Sequence, residues 1–106
     1  MKIAVMSLGK TKDSLVCGKF GRAPYVIICD TKNNMYEAIE NSGGKNKHGA
    51  GPDTAELLIE NEIDLLLTKE IGVRAYSVLA REHIDIKLVP SGSTVSSAIK
   101  QYLKNK

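Results

Sequence analysis

Between residues 63 and 102 the hydrophobic period of the chain switches back and forth, and that alternation restricts the fold more than any other feature of the sequence. Ile63-Asp64-Leu65-Leu66-Leu67-Thr68 is a short apolar run of the kind that forms a buried strand. Ile71, Ala75, Val78 and Leu79 then recur at helical spacing, and Ile84, Ile86 and Leu88 alternate as a strand. Thr94 can cap a last helix that turns Val95, Ala98, Ile99 and Tyr102 inward. Strands that alternate with helices in this way run parallel in one sheet, with the helices packed on its faces.

The preceding half of the chain has a different grammar. Residues 2–6, Lys-Ile-Ala-Val-Met, read as a buried strand, and Tyr25-Val26-Ile27-Ile28-Cys29-Asp30 reads as a second one covered on both faces. Thr31-Lys32-Asn33-Asn34 is a tight turn whose asparagines suit left-handed backbone, so residues 35–40 return antiparallel as a third strand. A polar loop over residues 41–51 follows. It ends at a helix whose first position suits Pro52, whose dipole suits Asp53, and whose apolar stripe is Ala55, Leu58 and Ile59.

The expected fold class is therefore α/β, with element order β-β-β-α-β-α-β-α. Right-handed crossovers are satisfied by a mixed five-stranded sheet of order 3-2-1-4-5 with strand 2 antiparallel. In that arrangement the first, third and fourth strands end at one edge. The loops of residues 7–22, 41–51 and 69–72 then open onto a shared crevice, the usual ligand position in open α/β sheets. Cys17, Lys19, Arg22, His48 and Lys69 are expected to converge there.

Composition narrows the function. A chain of 106 residues is long enough to bury a core as one domain, residues 1–106, without staples. It has no apolar run near the ~20 residues of a membrane helix. Residues 2–6 are too short for a signal peptide, which points to the cytoplasm. The net charge of +3 favours small anions, but the cations are scattered among only four tyrosines and one phenylalanine, so nucleic acid is not expected as a partner. The two cysteines form neither a disulfide framework nor a zinc pattern.

Motif by motif, catalytic machinery is missing. Leu8-Gly9-Lys10-Thr11 lacks the glycine that a phosphate-binding P-loop needs at position 4, where Ala4 stands, and Gly49-Ala50-Gly51-Pro52-Asp53-Thr54 breaks the dinucleotide fingerprint at Thr54. No Ser/His/acid set has recognisable spacing, and the acids Asp30, Asp64 and Asp85 lie on different strands. The expectation is a protein that is not an enzyme.

The remaining candidate site is the loop Ser14-Leu15-Val16-Cys17-Gly18-Lys19-Phe20-Gly21-Arg22-Ala23-Pro24-Tyr25, with its thiol, its two cations, and glycines suited to positive φ or to close approach by a ligand. Lys19 and Arg22 favour the thiolate of Cys17, the metal-binding form; the alternative is an inert loop thiol. His48 can ligate a metal as neutral imidazole or stand solvated in its glycine-rich loop. Amides at the start of the Pro52 helix can meet an anion. Cys29 reads as core and His83 as a partner of a helix C-terminal dipole.

These residues resemble a known family, the dinitrogenase iron-molybdenum cofactor-binding proteins, which include NifX, NafY and the C-terminal domain of NifB. The resemblance runs through the KIAV-type first strand, Phe20-Gly21-Arg22-Ala23-Pro24-Tyr25, the His48-Gly49-Ala50-Gly51 loop, Ile71-Gly72-Val73-Arg74-Ala75, and the Val95-x-x-Ala98-Ile99 helix. It implies a three-layer α/β/α, RNase H-like fold. It also implies a small carrier or scaffold for an anionic iron-molybdenum or iron-sulfur type cluster, with metallocluster donor and acceptor proteins as partners. His48 matches the family's histidine, and Arg22 with the amides of Gly49 and Gly51 would offset the cluster's charge. Cys17 and Lys69 depart from the family pattern, so their roles rest on the residue reading alone. The alternative is an anion-binding or protein-interaction module of the same fold, using Lys45, Lys47 and Lys69. A monomer or weak homodimer is expected, with no membrane contact.

Overall fold

The computed structural model describes residues 1–45 and 49–105. Five strands, β1 (Lys2–Ser7), β2 (Tyr25–Asp30), β3 (Met35–Glu40), β4 (Leu65–Thr68) and β5 (Asp85–Leu88), form one sheet of order β3-β2-β1-β4-β5. β2 is antiparallel to both β1 and β3, and β1, β4 and β5 run parallel. This is the order and direction that the sequence pattern demands. The central strand β1 and its neighbour β4 are buried almost throughout, which is why their runs are apolar without alternation.

Helices α1 (Ala50–Glu60) and α2 (Val73–Arg81) cover one face, and α3 (Val95–Lys104) covers the other. The first layer packs Leu58, Ala55, Ala75 and Leu79 on Ala4, Met6, Ile28 and Leu66. The second packs Val95, Ala98 and Ile99 on Ile3, Val5, Ile27, Leu65 and Leu67. No helix among the described residues is long and apolar enough to cross a membrane.

Helices α1 and α2 end alike. The Glu62 amide bonds the Ile59 carbonyl and the Ile63 amide that of Leu58; His83 and Ile84 repeat the pattern on Ala80 and Leu79. Glu62 and His83 take φ of 55° and 60° to make these closing turns. His83 is thus an exposed left-handed residue just past α2, where its backbone closes the helix.

Two short 3₁₀ turns, Phe20–Arg22 and Ser42–Lys45, carry no periodic signal and replace what reads in the sequence as plain loop. A buried polar bridge ties them to α1. Asn41 is 2% exposed and Thr54 0%. The Asn41 side-chain amide donates to the Ala23 carbonyl at 2.9 Å and to Thr54 Oγ1 at 3.0 Å. The Thr54 hydroxyl has Asn41 Oδ1 at 3.2 Å and the Gly21 carbonyl at 3.5 Å as acceptors. Main-chain bonds from Asn41 to Pro24 (2.9 Å) and from Gly44 to Asn41 (3.1 Å) complete the junction.

Removing one partner strands the others away from water. Asn41→Leu and Thr54→Val should each cost about 1–3 kcal/mol in denaturant unfolding, against near-neutral changes at the exposed Ser42. Cys29, core as expected, gives a second prediction. Burial pushes its thiol above the ordinary 9.0, with the Asp30 charge adding to this and a hydrogen bond with Tyr36 opposing it. Burial likewise raises Tyr36 above 10.0. Both groups are held neutral when folded, so their contribution is complete below the unfolded values and is lost as pH rises through the folded ones. Unfolding midpoints should fall between about pH 8 and about pH 10.5, and less steeply in Cys29→Ala.

Candidate functional site

A crevice of 580 Å³ opens at the shared edge of β1, β3 and β4, and it is lined by segments of three loops: Lys19 to Arg22, Gly49 to Pro52, and Glu70 to Ala75. Its floor is made by a close approach. A Cβ on Gly21 would stand 2.8 Å from the Gly51 nitrogen and 3.0 Å from the Ala50 carbonyl carbon, so the 3₁₀ turn lies flat against the first turn of α1. Gly51 in turn abuts Ala75 Cβ at 3.6 Å from its own Cβ position, which brings the starts of α1 and α2 side by side.

Those two helix starts are open. The first intrahelical bond of α1 runs from the Asp53 amide to the Gly49 carbonyl (2.9 Å), and that of α2 from the Tyr76 amide to the Gly72 carbonyl (3.0 Å). The amides of Ala50, Gly51, Val73, Arg74 and Ala75 lie ahead of those bonds. Among the described residues no side chain caps either end, because Gly49 and Gly72 occupy the cap positions. α3 is built differently. The Val95 and Ser96 amides bond the Ser14 and Lys12 carbonyls, and Thr94 and Ser97 form a reciprocal capping box. Among the described residues, the N-terminus remote from the crevice is saturated, whereas the two that border it carry no side-chain cap.

The walls add charge. Lys19, Arg22 and Arg74 line the crevice, against the single acid Glu70. Arg22 is steadied by an Nη1 bond donated to the Gly44 carbonyl at 3.0 Å. Two helix dipoles, each worth about half a positive charge at its end, reinforce these cations. The site suits a compact anion with several acceptor atoms.

The expected residues divide. Lys19, Arg22, Gly49 and Gly51 lie in the crevice. Lys69 lies beside it, its stem and ammonium 3.9 Å from the Cβ position of Gly18. Cys17 is 6% exposed, packs with Met6 and Phe20 in the core, and donates its thiol to the Lys19 carbonyl at 3.4 Å. It therefore sits beneath the turn and is not among the crevice walls. His48 lies outside the described residues. Neither Gly18 nor Gly21 has a positive φ; Gly49 does, at 75°. Gly21 is needed for close approach, and the approaching group is the α1 backbone.

The Val73, Arg74 and Ala75 amides and the Arg74 side chain are contributions that residue-type reasoning passes over. Their sequence signal is Gly72 standing where a helix would normally take Ser, Thr, Asp or Asn. Among the described residues no three His, Cys, Asp or Glu side chains cluster to hold a metal ion.

Fold and crevice together define a small α/β protein in which two helix N-termini and three cationic side chains border one crevice. The chain belongs to the dinitrogenase iron-molybdenum cofactor family, which it matches over residues 1–105. It is similar to an uncharacterized protein of Methanocaldococcus jannaschii, 27% identical over all of this chain and 92% of that one. Among solved structures, it superposes on the apo form of the orange protein from Desulfovibrio gigas with a TM-score of 0.94, at 30% identity over 98% of this chain and 88% of that one. A Thermotoga protein described as a NifB protein of the DUF35 family gives 0.85, at 30% identity over 97% and 87% of the two chains.

Gly21→Ala should destabilise the protein by about 1–3 kcal/mol, because the methyl group meets backbone that cannot move aside. Gly18→Ala, with only ordinary contact to a flexible lysine, should change the unfolding midpoint by less than about 0.5 kcal/mol.

Proposed function

We propose that the protein is a non-enzymatic carrier or scaffold that holds an anionic metal-sulfur cluster, of iron-molybdenum or iron-sulfur type, in this crevice. The observation that carries the reading is the meeting of two uncapped helix N-termini inside a rim of Lys19, Arg22 and Arg74. A cluster presents sulfur acceptors and net negative charge on every side. Backbone amides satisfy the first and cations the second, without the multidentate ligand set that a lone metal ion requires. Such binding is firm yet reversible, as a carrier needs. Membership of the family supports the cargo class.

In this reading His48, which precedes the α1 cap Gly49 in sequence, supplies a protein ligand, and the amides of Gly49 and Gly51 add to the site. Arg22 neutralises charge from the opposite wall. The burial of Cys17 favours a supporting place under the turn, and a Cys17→Ser variant distinguishes that from direct ligation. Val73, 82% exposed at the crevice mouth, gives cluster donor and acceptor proteins an apolar foothold beside the cargo.

Anaerobic reconstitution with iron-sulfur and iron-molybdenum clusters, read by metal content and charge-transfer absorbance, tests the proposal. His48→Ala should weaken retention. Val73→Pro is the sharper variant. Proline is tolerated at the first helical position and Gly72 already has the extended backbone it requires, so the substitution deletes one amide donor and leaves α2 intact. It should lower affinity about tenfold, the worth of a hydrogen bond to a charged group. If neither protein retains metal, while phosphate or an acidic partner binds in a salt-sensitive manner, the fold serves as an anion-binding or interaction module instead.

A further inference from the structure

The other edge of the molecule has a property that the crevice does not use. β5 is the last strand of the sheet and its outer side is unpaired among the described residues. The Asp85 amide bonds the Asp64 carbonyl at 3.1 Å and the Val89 amide bonds that of Thr68 at 2.9 Å, which sets the phase of the strand. By alternation, Ile86 and Leu88 turn their N–H and C=O groups outward. Grooves of 510 Å³ and 450 Å³ flank β5 on its two sides, and Lys87 borders both, so neither helix layer closes over the edge. Leu88 is 66% exposed, and Tyr76, beside the second groove, is 52% exposed. Asp85 and Lys87 are exposed and neither belongs to an ion pair among the described residues.

We infer that β5 is a self-complementary edge on which a second copy of this chain pairs antiparallel about Ile86. In that register the two Ile86 residues exchange both main-chain bonds, Leu88 faces Ile84 of the other copy, and Asp85 stands opposite Lys87 at both symmetry-related positions. A charged edge strand ordinarily repels pairing. Here the acid and the base are two residues apart, on one face and equidistant from the axis, so the same charges attract when the strand meets itself and clash in a shifted register. The contact is isologous and closes as a dimer with a continuous sheet. The opposite edge, β3, carries Glu37 and Glu40 and no cation, and copies meeting there gain no such pairs. Only residues 84–89 lie between His83 of the α2 closing turn and Pro90, so the interface is small and the dimer weak.

The test is sedimentation velocity over roughly 10 µM to 1 mM, the range in which a small interface associates. Wild type should move from monomer toward dimer. Asp85→Lys and Lys87→Asp, each folded by circular dichroism, should each weaken self-association by about tenfold or more, since every cross-strand pair becomes like-charged. Mixed together, the two variants restore opposite charges at both positions and should associate at least as well as wild type. A wild type that stays monomeric throughout, variants that self-associate undiminished, or a mixture that remains monomeric would each overturn the inference.

Discussion

The arrangement of this molecule hangs on the seating of one turn against one helix start. The Phe20–Arg22 turn lies so close to the Ala50–Gly51 peptide that a single methyl on Gly21 would collide with main chain. Dispersion at such a junction is strong only while the contact is held in place, and the Asn41–Thr54 bridge holds it from the side. Because those polar groups are buried and satisfied by one another, a lateral slide of the turn would leave several unpaired at once. The crevice is a consequence. With the turn seated on α1 and α1 abutting α2 through Gly51 and Ala75, both helix starts and the cations Lys19 and Arg22 line one crevice.

The contrast with α3 gives this geometry its meaning. All three helices begin with amides that their own ladders do not satisfy. At α3 the chain uses a threonine cap and the carbonyls of residues 12 and 14 to answer them. At α1 and α2 it places glycines in the cap positions, which cost the folded state a hydrogen bond each and expose amide dipoles in one place.

Much of this was legible in the sequence. The strand order followed from apolar runs and the switch in period, because burial of both faces of β1, β2 and β4 writes itself into residue type. The start of α1 was less so: Pro52 suggests the first helical position, but the helix begins at Ala50, since proline is tolerated anywhere in a first turn whose amides need no intrahelical partner. The 3₁₀ turns were invisible because three or four residues cannot show a period. Asn41 and Thr54 look like solvent-exposed loop and helix residues until their partners are known, although Thr54 does fall on the apolar stripe beside Ala55 and Leu58. Cys17 was read through its cationic neighbours in the chain, whereas the direction of its side chain is set by the Met6 bond to its amide and by the core beneath. The crevice amides have no letter in a sequence, and only the absent caps betray them.

In the proposed carrier, main-chain amides of two helix starts receive the cargo. Amide NMR spectra recorded while an anionic cluster is titrated into the protein test it most directly. Resonances of Ala50, Gly51, Val73, Arg74 and Ala75 should shift or broaden together and saturate at one equivalent, while those of Val95 and Ser96 at α3 stay in place. Perturbation scattered over surface lysines, or centred on α3, would contradict it.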